Sequence, residues 1–126
     1  MRIPHIGHKS LETSMNSLEE LKAKNPLVQC ITNYVSMDIA AHTLLAVGAS
    51  PAMIHTPEES GDFSPVAGAL TVNIGTISPN WLEGMEKAIE AANKAKVPWV
   101  LDPAAHFATP YRQTSIARLI SLEPSV

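Results

Sequence analysis

A single cysteine, Cys30, stands among 126 residues. It can form neither an internal disulfide nor a cysteine-based metal site, so the fold must rest on packing, as in a reducing compartment; the cytoplasm is the expected location. Aromatic residues make up only 5% of the chain and charged residues 17%. The nine lysines and arginines are scattered and the formal net charge is -3. No basic stripe is present to bind nucleic acid or an anionic membrane surface, which leaves small molecules as the expected partners. No apolar run approaches the roughly 20 residues of a membrane span, and the opening MRIPHIGHKS lacks the apolar centre of a secretory signal. Neither G-x-x-x-x-G-K-[ST] nor G-x-G-x-x-G occurs, which excludes a P-loop and a dinucleotide fingerprint.

What the chain does have is apolar surface: hydrophobic residues are 45% of it, enough to exclude disorder and to fill one core at this length. A single domain over residues 1–126 is expected. Residues 1–12 read as a loose lead-in, since Pro4, Gly7 and two histidines come there without an apolar period. Leu11, Met15, Leu18 and Leu21 recur at helical spacing, Ser17 to Glu20 resembles a capping box, and Asn25-Pro26 stops the helix.

Strands and helices then alternate. Leu27 to Ile31 is short and mostly apolar, as a buried strand is, and Ser36 opens a helix to about Val47 with Met37, Ala40, Ala41, Leu44 and Leu45 on its inner face and Gly48 as the stop. Pro51 to Ile54 and Ala69 to Ile74 are the second and third strands, joined by a segment with room for one short helix. Ser78-Pro79 caps a long helix with Trp81, Met85, Ile89 and Ala92 on one face; Pro98 to Leu101 is a fourth strand; Thr109-Pro110 starts a helix to about Leu122. Pro124 to Val126 reads as a fifth strand just begun, so the chain reads as a fragment. This order predicts a three-layer α/β/α domain with a mainly parallel sheet.

In such sheets ligands bind beyond the carboxyl ends of the strands. Thr32-Asn33-Tyr34 follows the first strand, His55-Thr56 the second, Asn73-Ile74-Gly75-Thr76 ends the third and Asp102-Pro103 the fourth. These are hydrogen-bonding side chains, a glycine that lets backbone approach a ligand, and a carboxylate able to bind a hard cation. Polar residues also follow strands simply because strands end in turns, and Asp before Pro is a common turn opener. Four successive strand ends nonetheless describe a polar pocket for a small neutral ligand.

Other motifs carry less. His5-Ile6-Gly7-His8 matches a nucleotide-binding string of one class of aminoacyl-tRNA synthetases, but no strand precedes it. Cys30 with His55 and Asp102 would make a nucleophilic triad only if the thiol left a buried strand. His42 and His106 lack a second ligand at helical spacing, and Met37, Met53 and Met85 are core filler by default.

The run NPLVQCITNYVSMDIAAHTLLAVGASPAM, Asn25 to Met53, closely resembles the amino-terminal region of hydroxyethylthiazole kinases. The likeness continues through HTPEES (55–60), GALTVNIGT (68–76) and VLDPAAHFATPYR (100–112), and covers about residues 15–126. It implies a ribokinase-like fold and transfer of the ATP γ-phosphoryl group to the hydroxyl of 4-methyl-5-(2-hydroxyethyl)thiazole, a salvage step toward thiamine. It implies magnesium as well, and a homotrimer with thiazole pockets shared between subunits. Carried over by position, Asn33, Met53, Gly75 and Thr76 would line the thiazole pocket, and Asp102 would lie near magnesium and the phosphates. The family's ATP-contacting arginine, its magnesium-associated N-x-x-E segment and its glycine-rich turn with a catalytic cysteine come further on in its pattern and are not matched here; Cys30 is not their substitute. Arg112 does not match the family's arginine and reads as a first-turn residue of the last helix. No catalytic residue is therefore assigned, and the alternative function is an inactive truncated form acting as a substrate-binding or subunit-interaction module.

Overall fold

The structure is a computed structural model that describes the backbone of residues 8–126 and the side chains of residues 15–126. Its elements run α1 (His8–Lys24), β1 (Leu27–Ile31), α2 (Met37–Val47), β2 (Ser50–Ala52), α3 (Ser60–Phe63), β3 (Ala69–Asn73), α4 (Pro79–Ala95), β4 (Trp99–Asp102) and α5 (Pro110–Ile120), with a 3-10 turn at Ser64–Val66. The four strands form one sheet in the order β2-β1-β3-β4, and every pairing is parallel. The expected α/β architecture is what forms.

Alternation along the strands sorts side chains onto two faces. Ile31, Leu70 and Val72 point to one face, where Trp81, Leu82, Met85, Ala88, Ile89 and Ala92 of α4 and Ile116 and Leu119 of α5 close over them with Trp99. Ser78 caps α4 by accepting from the Trp81 N–H at 3.2 Å, and Thr109 does the same for α5 from Arg112 at 3.2 Å. Each fully buried Leu, Ile or Met on this face contributes about 1.5–3 kcal/mol of transfer free energy. The opposite face is thin: Val28, Cys30 and Ala49 are buried there, with Leu44, Met53 and Ala69 packed beside them.

A buried carboxamide sits in the closed face. Gln29 of β1 is fully buried, and its carboxamide donates to the carbonyls of Ile54 and Ser60, each at 3.1 Å, and accepts from Ser64 Oγ at 2.5 Å. Ser60 Oγ in turn donates to Gly84 O at 2.8 Å. These bonds lash the connector after β2 to the sheet and to α4. The fit is close at Gly84, where a Cβ would stand 2.0 Å from His55 O.

Several elements differ from the sequence reading. Helix α1 begins at His8, so the Ser17–Glu20 box lies inside it and opens nothing; residues 1–7, with most of the expected lead-in and of the His5–His8 string, lie outside the described residues. Ser36 makes no side-chain cap for α2. Asn33 Oδ1 instead accepts from the Val35 and Ser36 N–H groups at 2.9 and 3.0 Å, in the turn that leads into α2. No residue of α2 is buried, and Leu45, expected inside, is 57% exposed. Gly48 does end α2, in a left-handed conformation with φ 97°. Pro124–Val126 runs beside β4 without strand regularity: Leu101 N–H donates to Val126 O and Ser125 N–H to Trp99 O, both at 3.0 Å.

Candidate functional site

Parallel pairing brings the carboxyl ends of β1, β3 and β4 to one rim. Ile31 pairs with Val72, and Asn73 pairs with Asp102. Asn33, two residues past β1, therefore reaches Asn73, and its Nδ2 donates to Asn73 Oδ1 at 2.8 Å. Asn73 Nδ2 donates onward to Asp102 Oδ2 at 2.7 Å, while its Oδ1 also accepts the Gly75 N–H at 2.7 Å. Two carboxamides and a carboxylate thus form one hydrogen-bonded string across three strands. The Thr76 hydroxyl accepts from the Tyr34 N–H at 3.0 Å, which ties the loop after β3 to the loop after β1.

Gly75 is packed into this string. A Cβ on it would stand 2.7 Å from Asn33 Nδ2 and 2.9 Å from Asn73 Oδ1, so no larger residue fits without moving both carboxamides. Asn33 is only 8% exposed, and its Oδ1 is occupied by two N–H groups of the turn before α2. It can meet a ligand mainly through the second hydrogen of its Nδ2. Asp102 is exposed and has no partner on Oδ1 among the described residues. Asn33, Gly75, Thr76 and Asp102, four of the residues singled out in the sequence, are linked here through hydrogen bonds or close packing. Met53 stands apart from the string: it follows β2, next to β1 in the sheet, and packs half-buried on the Val28, Cys30 and Ala49 cluster.

Beside the rim, three rings gather, two from the loops after β1 and β2 and one from the first turn of α4. The Trp81 indole lies 4.4 Å from the His55 ring and 5.0 Å from the Tyr34 ring, centroid to centroid. Cys30 is buried, and burial pushes its thiol pKa up, against hydrogen bonds with Ala52 and Thr71 that pull it down. It is no poised nucleophile. On α4, the Glu83 carboxylate 2.8 Å from Lys87 holds that ammonium pKa above its ordinary value. Two open grooves lie elsewhere, one of about 340 Å³ between α3 and α4 with Glu58, Asp62, Lys87, Glu90 and Lys94 on its walls, and one of about 450 Å³ along α2 at Asp38, Ile39, His42, Thr43 and Ala46. Both show mixed surface residues and neither contains the strand-end groups. The rim is therefore the candidate site on chemistry, not on depth.

Two residues of this arrangement were named in the sequence without the roles they take here. Asn73 is the hub of the string, and its only signal was its place at a strand end. Arg112 sends its guanidinium back across the rim to the carbonyl oxygens of Ile74, Gly75 and Ala104. Its signal was electrostatic: a cation in the first turn of a helix opposes the helix dipole, and no acid stands within four residues of it.

No group of three or more His, Cys, Asp and Glu that could hold a metal exists among the described residues. A lone exposed carboxylate fits a magnesium ion whose remaining ligands are phosphate oxygens and water, the usual arrangement in phosphoryl-transfer sites.

The profile of the hydroxyethylthiazole kinase family matches residues 18–126. The chain belongs to that family. It is 58% identical over 109 residues to a hydroxyethylthiazole kinase of Rhizobium rhizogenes, covering 86% of this chain and 41% of that one. The corresponding kinase of Gemmatimonas aurantiaca is 56% identical over 111 residues, covering 88% and 40%. A solved hydroxyethylthiazole kinase structure from Pyrococcus horikoshii superposes with a TM-score of 0.86 at 38% identity, over 90% of this chain and 44% of that one. The chain thus spans about two fifths of the length of these hydroxyethylthiazole kinase relatives, and the rim described above falls entirely within the matched region.

Proposed function

We propose that this chain, as the amino-terminal part of a ribokinase-like kinase domain, supplies the thiazole-binding rim of an enzyme that phosphorylates the hydroxyl of 4-methyl-5-(2-hydroxyethyl)thiazole with ATP, in thiamine salvage. The observation that supports this most is the string Asn33–Asn73–Asp102, which sets a neutral hydrogen-bonding corner beside a carboxylate, as a neutral alcohol and a magnesium-bound phosphate require. Asn33, Gly75 and Thr76 face the polar part of the thiazole alcohol, Asp102 is the magnesium ligand, and Met53, which stands apart from the string, offers its thioether to the ring in a pocket shared between neighbouring subunits. When bound, magnesium would neutralise charge on the phosphates. The chain's own contribution is to orient the hydroxyl and hold the two loops in register, since phosphoryl transfer depends chiefly on positioning and charge stabilisation.

The proposed assembly is a homotrimer in the cytoplasm. Helix α2 supports it, because Val35 (85% exposed) before it and Ile39 (69%) and Leu45 (57%) on it are apolar and uncovered. No described helix is long and apolar enough to cross a membrane.

Calorimetric titration of the chain with the thiazole alcohol tests the reading, with Asn33→Ala expected to weaken binding by about 1–3 kcal/mol, the cost of an unpaired buried partner. Equal affinity in that variant removes Asn33 from the pocket. A parallel assay with ATP and magnesium separates turnover from binding alone; binding without turnover favours the substrate-binding or subunit-interaction module, to which the exposed apolar side of α2 also points.

A further inference from the structure

Arg112 stands in the first turn of α5, makes no ion pair among the described residues, and spends its guanidinium on three backbone carbonyls. Its Nη1 donates to Ile74 O at 2.8 Å and to Ala104 O at 3.1 Å, and its Nη2 donates to Gly75 O at 2.5 Å. Ile74 and Gly75 belong to the loop after β3 and Ala104 to the loop after β4, so one side chain grips both. All peptide bonds among the described residues are trans, and in a trans peptide the N–H points opposite to the C=O of the same unit. Carbonyls drawn to Arg112 therefore aim the N–H groups of Gly75, Thr76 and Ala105 the other way. The Gly75 N–H is taken by Asn73 Oδ1. Those of Thr76 and Ala105 donate to no protein group among the described residues, and Ala105 is held at a positive φ of 51°.

We propose that Arg112 is a positioning residue that locks the loops after β3 and β4 together and aims the Thr76 and Ala105 N–H groups at ligand oxygens, one beside the substrate corner and one beside Asp102. Hydrogen bonds to a cation also polarise the peptide units they touch, which strengthens the opposed N–H donors. The oxygens they would receive are an alcohol on the Thr76 side and a phosphate on the Ala105 side, which rests on the function proposed above. Lysine is no substitute, because a single ammonium cannot reproduce the planar fork over three carbonyls.

The test is amide hydrogen exchange followed by NMR on the 126-residue chain and its Arg112→Gln, Arg112→Lys and Arg118→Ala variants, with titration of 4-methyl-5-(2-hydroxyethyl)thiazole on each. In both Arg112 variants the Gly75 and His106 amides, bonded to Asn73 Oδ1 and Pro103 O, are expected to exchange at least tenfold faster while Val72 holds its rate, and thiazole affinity is expected to fall at least tenfold. Arg118→Ala, which breaks only the ion pair with Glu86, leaves both loops at the wild-type rate. Unchanged loops in Arg112→Gln, an acceleration spread evenly through β3 and α5, or wild-type behaviour in Arg112→Lys each overturns the proposal. If the wild-type chain does not bind the thiazole alcohol, the proposed function falls, and the exchange rates still decide the role of Arg112.

Discussion

The two faces of the sheet are built to different standards. On one, α4 and α5 bury Leu70, Val72, Met85, Ile89 and Leu119 to 1% exposure or less; on the other, α2 covers Val28 and Cys30 without burying a single residue of its own. The same strands serve both, as the alternation of half-buried and buried residues along β3 shows. Stability is therefore concentrated on the α4–α5 side. The α2 side offers apolar surface for association, and the rim at the strand ends is tied to the closed face through Arg112 of α5.

The contrast breaks most sharply by truncation of matched side chains. Ile89→Ala, in the closed face, is expected to cost about 2–5 kcal/mol because it leaves a cavity that close packing cannot collapse. Leu44→Ala, in the thin face, is expected to cost about 1 kcal/mol. Urea unfolding measures both, and equal losses would erase the distinction between the faces.

A smaller effect reads the thin face through its thiol. Burial raises the folded-state pKa of Cys30, so the fold keeps a proton that the unfolded chain has already released. Its contribution is fully present below about pH 8.5 and is lost as the pH rises through the raised value. Thermal melts from pH 7 to 10 should show a decline that Cys30→Ala flattens; parallel declines in the two proteins would mean that the thiol is solvated. Smallest in stability is Ile39→Glu on the outer side of α2, expected within about 0.5 kcal/mol of wild type. It should nonetheless abolish self-association in light scattering, and an unaltered oligomer would place the subunit contact elsewhere.

Much of this was legible in the chain because it is local. Alternating strands and helices, the caps at Ser78 and Thr109 and the stop at Gly48 each follow from residues within one turn of each other. The nominations of Asn33, Gly75, Thr76 and Asp102 followed from the rule that parallel strands deliver their ends to one edge. What the chain concealed is long-range. Asn73 became a hub only through its register with Asp102, and Arg112 finds its carbonyls on a loop 37 and 38 residues away. Asn33 rather than Ser36 supplies the side-chain acceptor at the entry to α2, its carboxamide oxygen taking the Val35 and Ser36 N–H groups of the turn before the helix. The spacing of Met37, Ala40, Ala41, Leu44 and Leu45 predicted one inner face; Met37 and Leu44 do pack inward, but Leu45 is exposed, because periodicity cannot say where the covered side of a helix ends. Helix α1 starts at His8, three residues before Leu11 opens the apolar spacing, where pattern has nothing to register.

The seam at Gly84 reaches further than one contact. With a carbonyl oxygen 2.0 Å from where a methyl group would begin, α4 lies against the backbone of the connector as closely as two main chains can. Trp81, one turn earlier on the same helix, is thereby brought into stacking range of His55. A single hydrogen atom in the middle of a helix thus sets the width of the aromatic corner beside the rim.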